Sequence, residues 1–244
     1  MVNHKKIIFH SLLSTFLPFY LSTFFIGCAV PPRKPPFIPR PPVAGEIKPA
    51  PPIKEPMKEI IIKIGIIEST DKVSIEGEDD FTIIDTKTGE KFDMLDEGIY
   101  TVKAVKTPGK IIFGKKQFAS DIKIVPGRTD QRIFINGKKY RGNIIVKINN
   151  KKKLTIINEL GLEEYICGIM TKEVSPSWSF ESLKAQAVVA RTFAIKNLGK
   201  HASSGFDLCS QTHCQVYGGF DSEDERSNKA VYDTAGEVLK YNGE

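Results

Sequence analysis

From Glu59 to Asn158 the chain alternates short β-branched runs with polar breaks marked by glycine, asparagine and proline. The run Ile60 to Ile67, apolar except at Lys63 and Gly65, predicts a buried strand. Shorter runs at Val73 to Ile75, Phe81 to Ile84, Tyr100 to Val105, Lys110 to Phe113 and Ile122 to Val125 predict further strands. Thr88-Gly89 and Pro108-Gly109 supply the turns between them. Arg132 to Ile135, Asn136-Gly137 and Tyr140 to Ile148 read as a hairpin, because Asn-Gly accepts the positive φ angles of a tight type I′ turn. A second turn at Asn149-Asn150 leads back into Leu154 to Asn158.

The period changes near Glu159. Leu162 to Met170 predicts a short helix and Ser179 to Leu198 a long one, with Ser179 as its N-cap. On the long helix Phe180, Leu183, Ala187, Ala190, Ala194 and Leu198 share a stripe whose alanines imply close packing. Arg191 lies near that stripe, where a charge needs a carboxylate or ligand partner. Ser222-Glu223-Asp224-Glu225 reads as a capping box opening a third helix that ends near Gly236. Glu237 to Tyr241 predicts a last strand and Asn242-Gly243 a hairpin turn. No return strand follows before Glu244, so the sequence reads as a domain truncated at its C-terminus. The fold class expected is α+β. A β-rich region over 59–130 precedes a helix-containing domain over 131–244 that is built on the long central helix.

Composition changes the picture upstream. Residues 31 to 56 hold 11 of the 15 prolines. That density imposes extended polyproline II backbone, so 29–58 reads as a stiff linker of roughly 80 Å, not a domain. Before it, Lys5 and Lys6 precede an apolar run from Ile7 to Phe25 that closes on Phe25-Ile26-Gly27-Cys28. Residues 1–28 resemble the signal peptide of a bacterial lipoprotein, with Cys28 as the lipidated residue. An uncleaved membrane anchor is the other reading of the same run. Both place the remaining chain outside the cytoplasm, in the cell envelope. The net charge is +6, or +4 without Lys5 and Lys6, which suits an acidic wall or anionic membrane. Lys138, Lys139, Arg141 and Lys147 alternate along strands, and Lys151 to Lys153 crowd a turn. This pattern describes a solvated sheet face and no nucleic-acid groove.

Four metal-capable side chains lie within 14 positions: His201, Cys209, His213 and Cys214. Two thiolates and two imidazoles suit tetrahedral zinc, and four protein ligands leave no open catalytic position. A Cys209–Cys214 disulfide competes with this reading in an oxidising compartment. Cys167, on a short apolar helix, reads as a buried thiol.

Two blocks carry a resemblance. The first runs from Tyr140-Arg141-Gly142 through Leu162-Glu163-Glu164-Tyr165, Glu173-Val174-Ser175-Pro176-Ser177-Trp178 and Leu183 to Ala194. The second is Phe206-Asp207-Leu208-Cys209-Ser210-Gln211-Thr212-His213-Cys214-Gln215-Val216-Tyr217. Together they resemble the SpoIID/LytB family, loosely from residue 60 and closely over 140 to 241. The resemblance implies a lytic transglycosylase acting on peptidoglycan glycan strands, or an enhancer of a cell-wall amidase. It also implies that Glu173, which by itself reads as a surface residue at the end of a helix, matches the family's catalytic glutamate and that the Cys/His cluster holds a structural zinc. One carboxylate can serve such chemistry: as acid it protonates the glycosidic oxygen, then as base it takes the proton of the sugar's 6-hydroxyl while a 1,6-anhydro ring closes. Trp178 is expected to wall a pocket that keeps Glu173 protonated. Gln186, Arg191, Gln215 and Tyr217 are carried as substrate contacts. Arg191 reads equally as the ion-pair partner of Glu163, Glu164 or Glu181, and the other three equally as packing residues.

Overall fold

The structure is a computed structural model that describes residues 59–94, 98–105 and 109–242. Cys28, the signal-peptide reading and the proline-rich linker lie outside the described residues. Among the described residues, no helix is long and apolar enough to cross a membrane.

Thirteen strands and three α-helices follow in order: β1 (Ile61–Thr70), β2 (Lys72–Gly77), β3 (Phe81–Asp85), β4 (Lys91–Met94), β5 (Tyr100–Val105), β6 (Lys110–Phe113), β7 (Lys116–Phe118), β8 (Ile122–Pro126), β9 (Ile133–Ile135), β10 (Lys138–Tyr140), β11 (Asn143–Ile148), β12 (Leu154–Gly161), α1 (Leu162–Glu173), α2 (Phe180–Lys196), β13 (Leu208–Cys209) and α3 (Glu225–Asp233). They form an α+β unit with a seven-stranded sheet, β13-β1-β12-β11-β8-β3-β4, and a six-stranded sheet, β10-β9-β2-β5-β6-β7.

Most strands bury alternate residues, as half-covered sheets require. Phe81 and Ile83 of β3, Ile122 and Ile124 of β8, and Ile144 and Val146 of β11 enter one core. Val73 and Ile75 of β2, Ile111 and Phe113 of β6, and Tyr165, Ile169 and Met170 of α1 join them. The expected turn at Asn136-Gly137 is present, with φ of 50° and 78°. Gly142, at φ 67°, breaks the expected strand Tyr140 to Ile148 into β10 and β11, which belong to different sheets.

Residue 130 does not divide two bodies. β9 pairs with β2, β11 with β8 and β12 with β1, and the described residues fall in one compact unit. The seam between 59–130 and 131–244 is stitched by both sheets.

The β12 strand is covered on both faces. Ile156 faces the main core, while Ile157 packs with Phe206 and Cys209 in a second, small cluster. The cover on that second side is the segment that carries the Cys/His residues. Its β13 runs parallel to β1, with Ile64 opposite Leu208 and Gly65 opposite Cys209.

The helices match their sequence signals closely. Ser179 caps α2, its hydroxyl accepting from the Ser182 amide at 3.2 Å. Leu183, Ala187, Ala190 and Ala194 form the buried stripe. The third helix starts later than the capping-box reading placed it. Asp224 is the N-cap, accepting from the Ser227 amide at 2.9 Å, while Ser222 ends a short 3-10 turn. The strand expected over Glu237 to Tyr241 is not formed among the described residues. Instead the Leu239 amide donates to Thr192 Oγ1 on α2 at 2.9 Å, so a helix side chain takes the place of a neighbouring strand.

Candidate functional site

The segment 199–217 is fixed to the sheet before any ligand is considered. Asp207 does most of this. Its Oδ2 accepts from the Lys63 amide at 2.8 Å and its Oδ1 from the Gly199 amide at 3.1 Å. Its own amide donates to the Lys63 carbonyl, and its carbonyl accepts from the His201 amide. Phe206 lies over Gly65, where a Cβ would come within 2.6 Å of its ring, and stacks on His201 with centroids 5.1 Å apart.

This frame brings His201, Cys209, His213 and Cys214 together, with all four ligand atoms within 4.8 Å of one another. Cys214 Sγ lies 3.4 Å from His201 Nε2 and 3.6 Å from His213 Nδ1, and Cys209 Sγ lies 3.8 Å from His213 Nδ1. Tetrahedral zinc with ligands at about 2.0–2.3 Å sets sulfur and nitrogen roughly 3.5 Å apart. The donor set fits that ion in type, number and spacing. Both thiols are free, with no disulfide between them. Burial pushes the Cys214 thiol above its ordinary value.

Tyr165 lies at the centre of the adjoining network. It is fully buried, and its hydroxyl donates to Gln215 Oε1 at 3.2 Å. Burial raises its phenol first, and the charges of Cys214, Cys209 and Glu173 raise it further.

Three expected substrate contacts are structural. Arg191 is 0 % exposed. Its guanidinium bonds Glu163 through two nitrogens at 2.8 and 2.6 Å and donates to the carbonyls of Glu237 and Val231. Gln215 is buried and its Nε2 donates to the Ala190 carbonyl at 3.4 Å. Tyr217 is buried too, its hydroxyl donating to Asn158 Oδ1 at 2.8 Å, and its phenol is raised well above the ordinary value by burial. Gly168 of α1 faces that ring, where a Cβ would come within 2.4 Å. These three side chains are buried and hold helices and segment together. Gln186 is half-buried on α2. Cys167 is the buried thiol its setting predicted, pushed up to about 12 by burial.

Glu173 ends α1 and is exposed. Trp178, the chain's one tryptophan, is 52 % exposed in the loop that follows. Among the described residues no side chain encloses Glu173 and Trp178, and both face solvent. Glu173 nonetheless differs from the other acids of α1. Glu163 is committed to Arg191 and Glu164 accepts from the Gly161 amide, whereas Glu173 enters no hydrogen bond or ion pair among the described residues. Its place is also electrostatically unfavourable, since a helix C-terminus carries partial negative charge. Lys172 offers no relief, for its side chain lies against Gly218.

Sequence reasoning missed Arg226 of α3, which donates to the Trp178 carbonyl at 2.6 Å and to the Pro176 carbonyl. No local pattern marks an arginine whose partners are carbonyls nearly 50 residues away.

Comparison with known proteins gives a family match and several relatives. Residues 150–241 match the family described as Stage II sporulation protein, SpoIID. An Amidase enhancer of Bacillus subtilis is 35% identical over 181 residues, covering 72% of this chain and 23% of that protein. Stage II sporulation protein D of the same organism is 28% identical over 103 residues, 36% of this chain and 30% of the relative. An uncharacterized protein of Brachyspira hyodysenteriae is 36% identical over 116 residues, 47% of this chain and 31% of the relative. The matched part spans about a quarter to a third of the length of these relatives. The residues that pack α1, α2 and the Cys/His segment together lie in the matched region, so the chain carries a SpoIID family domain over residues 150–241.

Proposed function

We propose that the protein is a peptidoglycan lytic transglycosylase of the cell envelope, with Glu173 as its single acid/base. One observation carries the reading: Glu173 is an uncommitted, exposed carboxylate at the helix end that disfavours it. A charge there adds little to folding, so the carboxylate is free to meet a substrate. Trp178 follows five residues later and offers an indole face to a sugar ring.

In this reading His201, Cys209, His213 and Cys214 hold a structural zinc. With four protein ligands the ion supplies cross-linking and no Lewis-acid step. Cys28 carries a lipid that anchors the chain to the membrane, and the proline-rich linker extends the domain toward the wall.

A second reading is supported by the Amidase enhancer of Bacillus subtilis, which matches 72% of the chain, and by the open surface around Glu173. There the domain binds glycan without cutting it and stimulates a cell-wall amidase.

Digestion of purified glycan strands, with and without prior amidase treatment, separates the two. Anhydro-terminated products from the wild type and none from Glu173→Gln support the transglycosylase. Amidase stimulation that survives Glu173→Gln, with no glycan cleavage by either protein, supports the enhancer.

A further inference from the structure

The loop between α1 and α2 places Trp178 relative to Glu173, and its own bonds are few. The Trp178 amide donates to the Ser175 carbonyl at 3.1 Å, closing one turn. Ser175 and Ser177 share a hydroxyl contact at 2.9 Å. These bonds fix the turn's shape but not its position on the molecule. Ser179, the N-cap, joins the loop to α2.

Position comes from α3. Arg226 Nη1 donates to the carbonyls of both Pro176 and Trp178. One turn further along α3, Lys229 Nζ lies 5.4 Å from the centroid of the Phe180 ring. Residues three apart share a helix face, so one face of α3 grips the loop at Arg226 and the start of α2 at Lys229. Arg226 is exposed and forms no ion pair among the described residues, so its charge is directed at two main-chain oxygens. Lys229, by contrast, is paired with Asp233. α3 itself is well seated: Asp224 caps it, and Ser227, Ala230 and Val231 are buried.

We infer that Arg226 is a positioning residue, a clamp that holds the Trp178 loop in register with Glu173 and thereby sets the sugar-binding geometry. The clamp is a statement about the loop, while its consequence for glycan rests on the transglycosylase reading above.

Because Trp178 is the only tryptophan, selective indole excitation reports this loop alone in the full chain. A hydrogen bond from a charged donor shifts a held-versus-released balance by about tenfold. Arg226→Ala therefore raises collisional quenching of Trp178 by about twofold and lowers its anisotropy, with an unchanged far-UV spectrum and unchanged zinc content. Arg226→Lys, which keeps a multiply donating nitrogen at the end of a long stem, restores most of both signals. With glycan as substrate, Arg226→Ala raises KM more than it lowers kcat. Should the alanine variant fail to fold, Arg226→Lys and Arg226→Gln carry the same comparison. Quenching and anisotropy equal to wild type in folded Arg226→Ala and Arg226→Gln overturn the clamp. A loosened indole in a protein whose wild type cleaves no glycan sustains the clamp and refutes only the enzymatic reading.

Discussion

The ring of Phe206 occupies the space that a side chain at position 65 would need: a Cβ on Gly65 would come within 2.6 Å of Phe206 Cζ. The glycine is a packing requirement rather than a turn requirement, since it sits within β1. Through Phe206 the contact reaches His201 by stacking, and so reaches the metal-capable cluster. Gly65→Ala is expected to overpack this contact, costing about 1–3 kcal/mol. The same change should weaken metal retention. Thermal unfolding and metal analysis of the variant check it; a loss of stability with full metal content would uncouple Gly65 from the cluster.

Protein purified without added metal should contain about one zinc per chain, and a strong chelator should lower its unfolding temperature. Cys214→Ser should do both at once, because Cys214 is within 3.6 Å of two imidazoles. Metal-free protein with free thiols and an unchanged melting temperature would remove zinc from the account.

Glu173→Gln should lower glycan cleavage by roughly 10²- to 10⁴-fold, the usual worth of a general acid/base. Its stability should stay equal to wild type or rise slightly, since a negative charge leaves a helix C-terminus. Parallel turnover and melting measurements on one preparation give the answer. A drop in both would make Glu173 a folding residue.

Arg191 predicts the opposite pattern. Glu163→Ala would leave a fully buried guanidinium without its carboxylate, a loss of about 3–5 kcal/mol for pairs of this kind. The expected readout is a large fall in unfolding free energy, with KM for glycan unchanged at temperatures where the variant is folded. A raised KM with normal stability would return Arg191 to the substrate.

Glu159 links stability to pH. Burial alone would raise its carboxyl, but Lys123, Asn143 and Lys63 together hold it below its ordinary value of 4.5. A depressed carboxyl stabilises the fold fully above the unfolded-state value and less as pH falls through the folded one. Stability should therefore decline below pH 4.5, and Glu159→Gln should flatten that decline. Acid titrations of both proteins by circular dichroism test the difference.

Features written in local pattern were legible before any coordinates. β-branched runs gave most of the strands, Asn136-Gly137 its hairpin, and Ser179 its cap, because each depends on residues a few positions apart. The four metal-capable residues were legible by side-chain type and spacing. Pairing across the sheets was not: nothing near Ile61 announces Gly161 as its partner. Short β4 and β7 also escaped, being three or four residues long with exposed lysines. For Arg191, Gln215 and Tyr217 the sequence leaves ligand contact and packing equally open, because they lie in the blocks that carry the resemblance. Family blocks mix residues that touch substrate with residues that seat them, and only burial tells the two apart.

The pairing of β1 with β12 and β13 has a consequence for how the chain reaches its native state. β1 is the first strand described, yet its neighbours arrive about a hundred residues later, and the Lys63–Asp207 bond spans 144 positions. Such non-local closure slows folding, because loop entropy is lost before any contact rewards it. The sheet cannot be completed until nearly the whole domain is available, so a partly synthesised chain remains open.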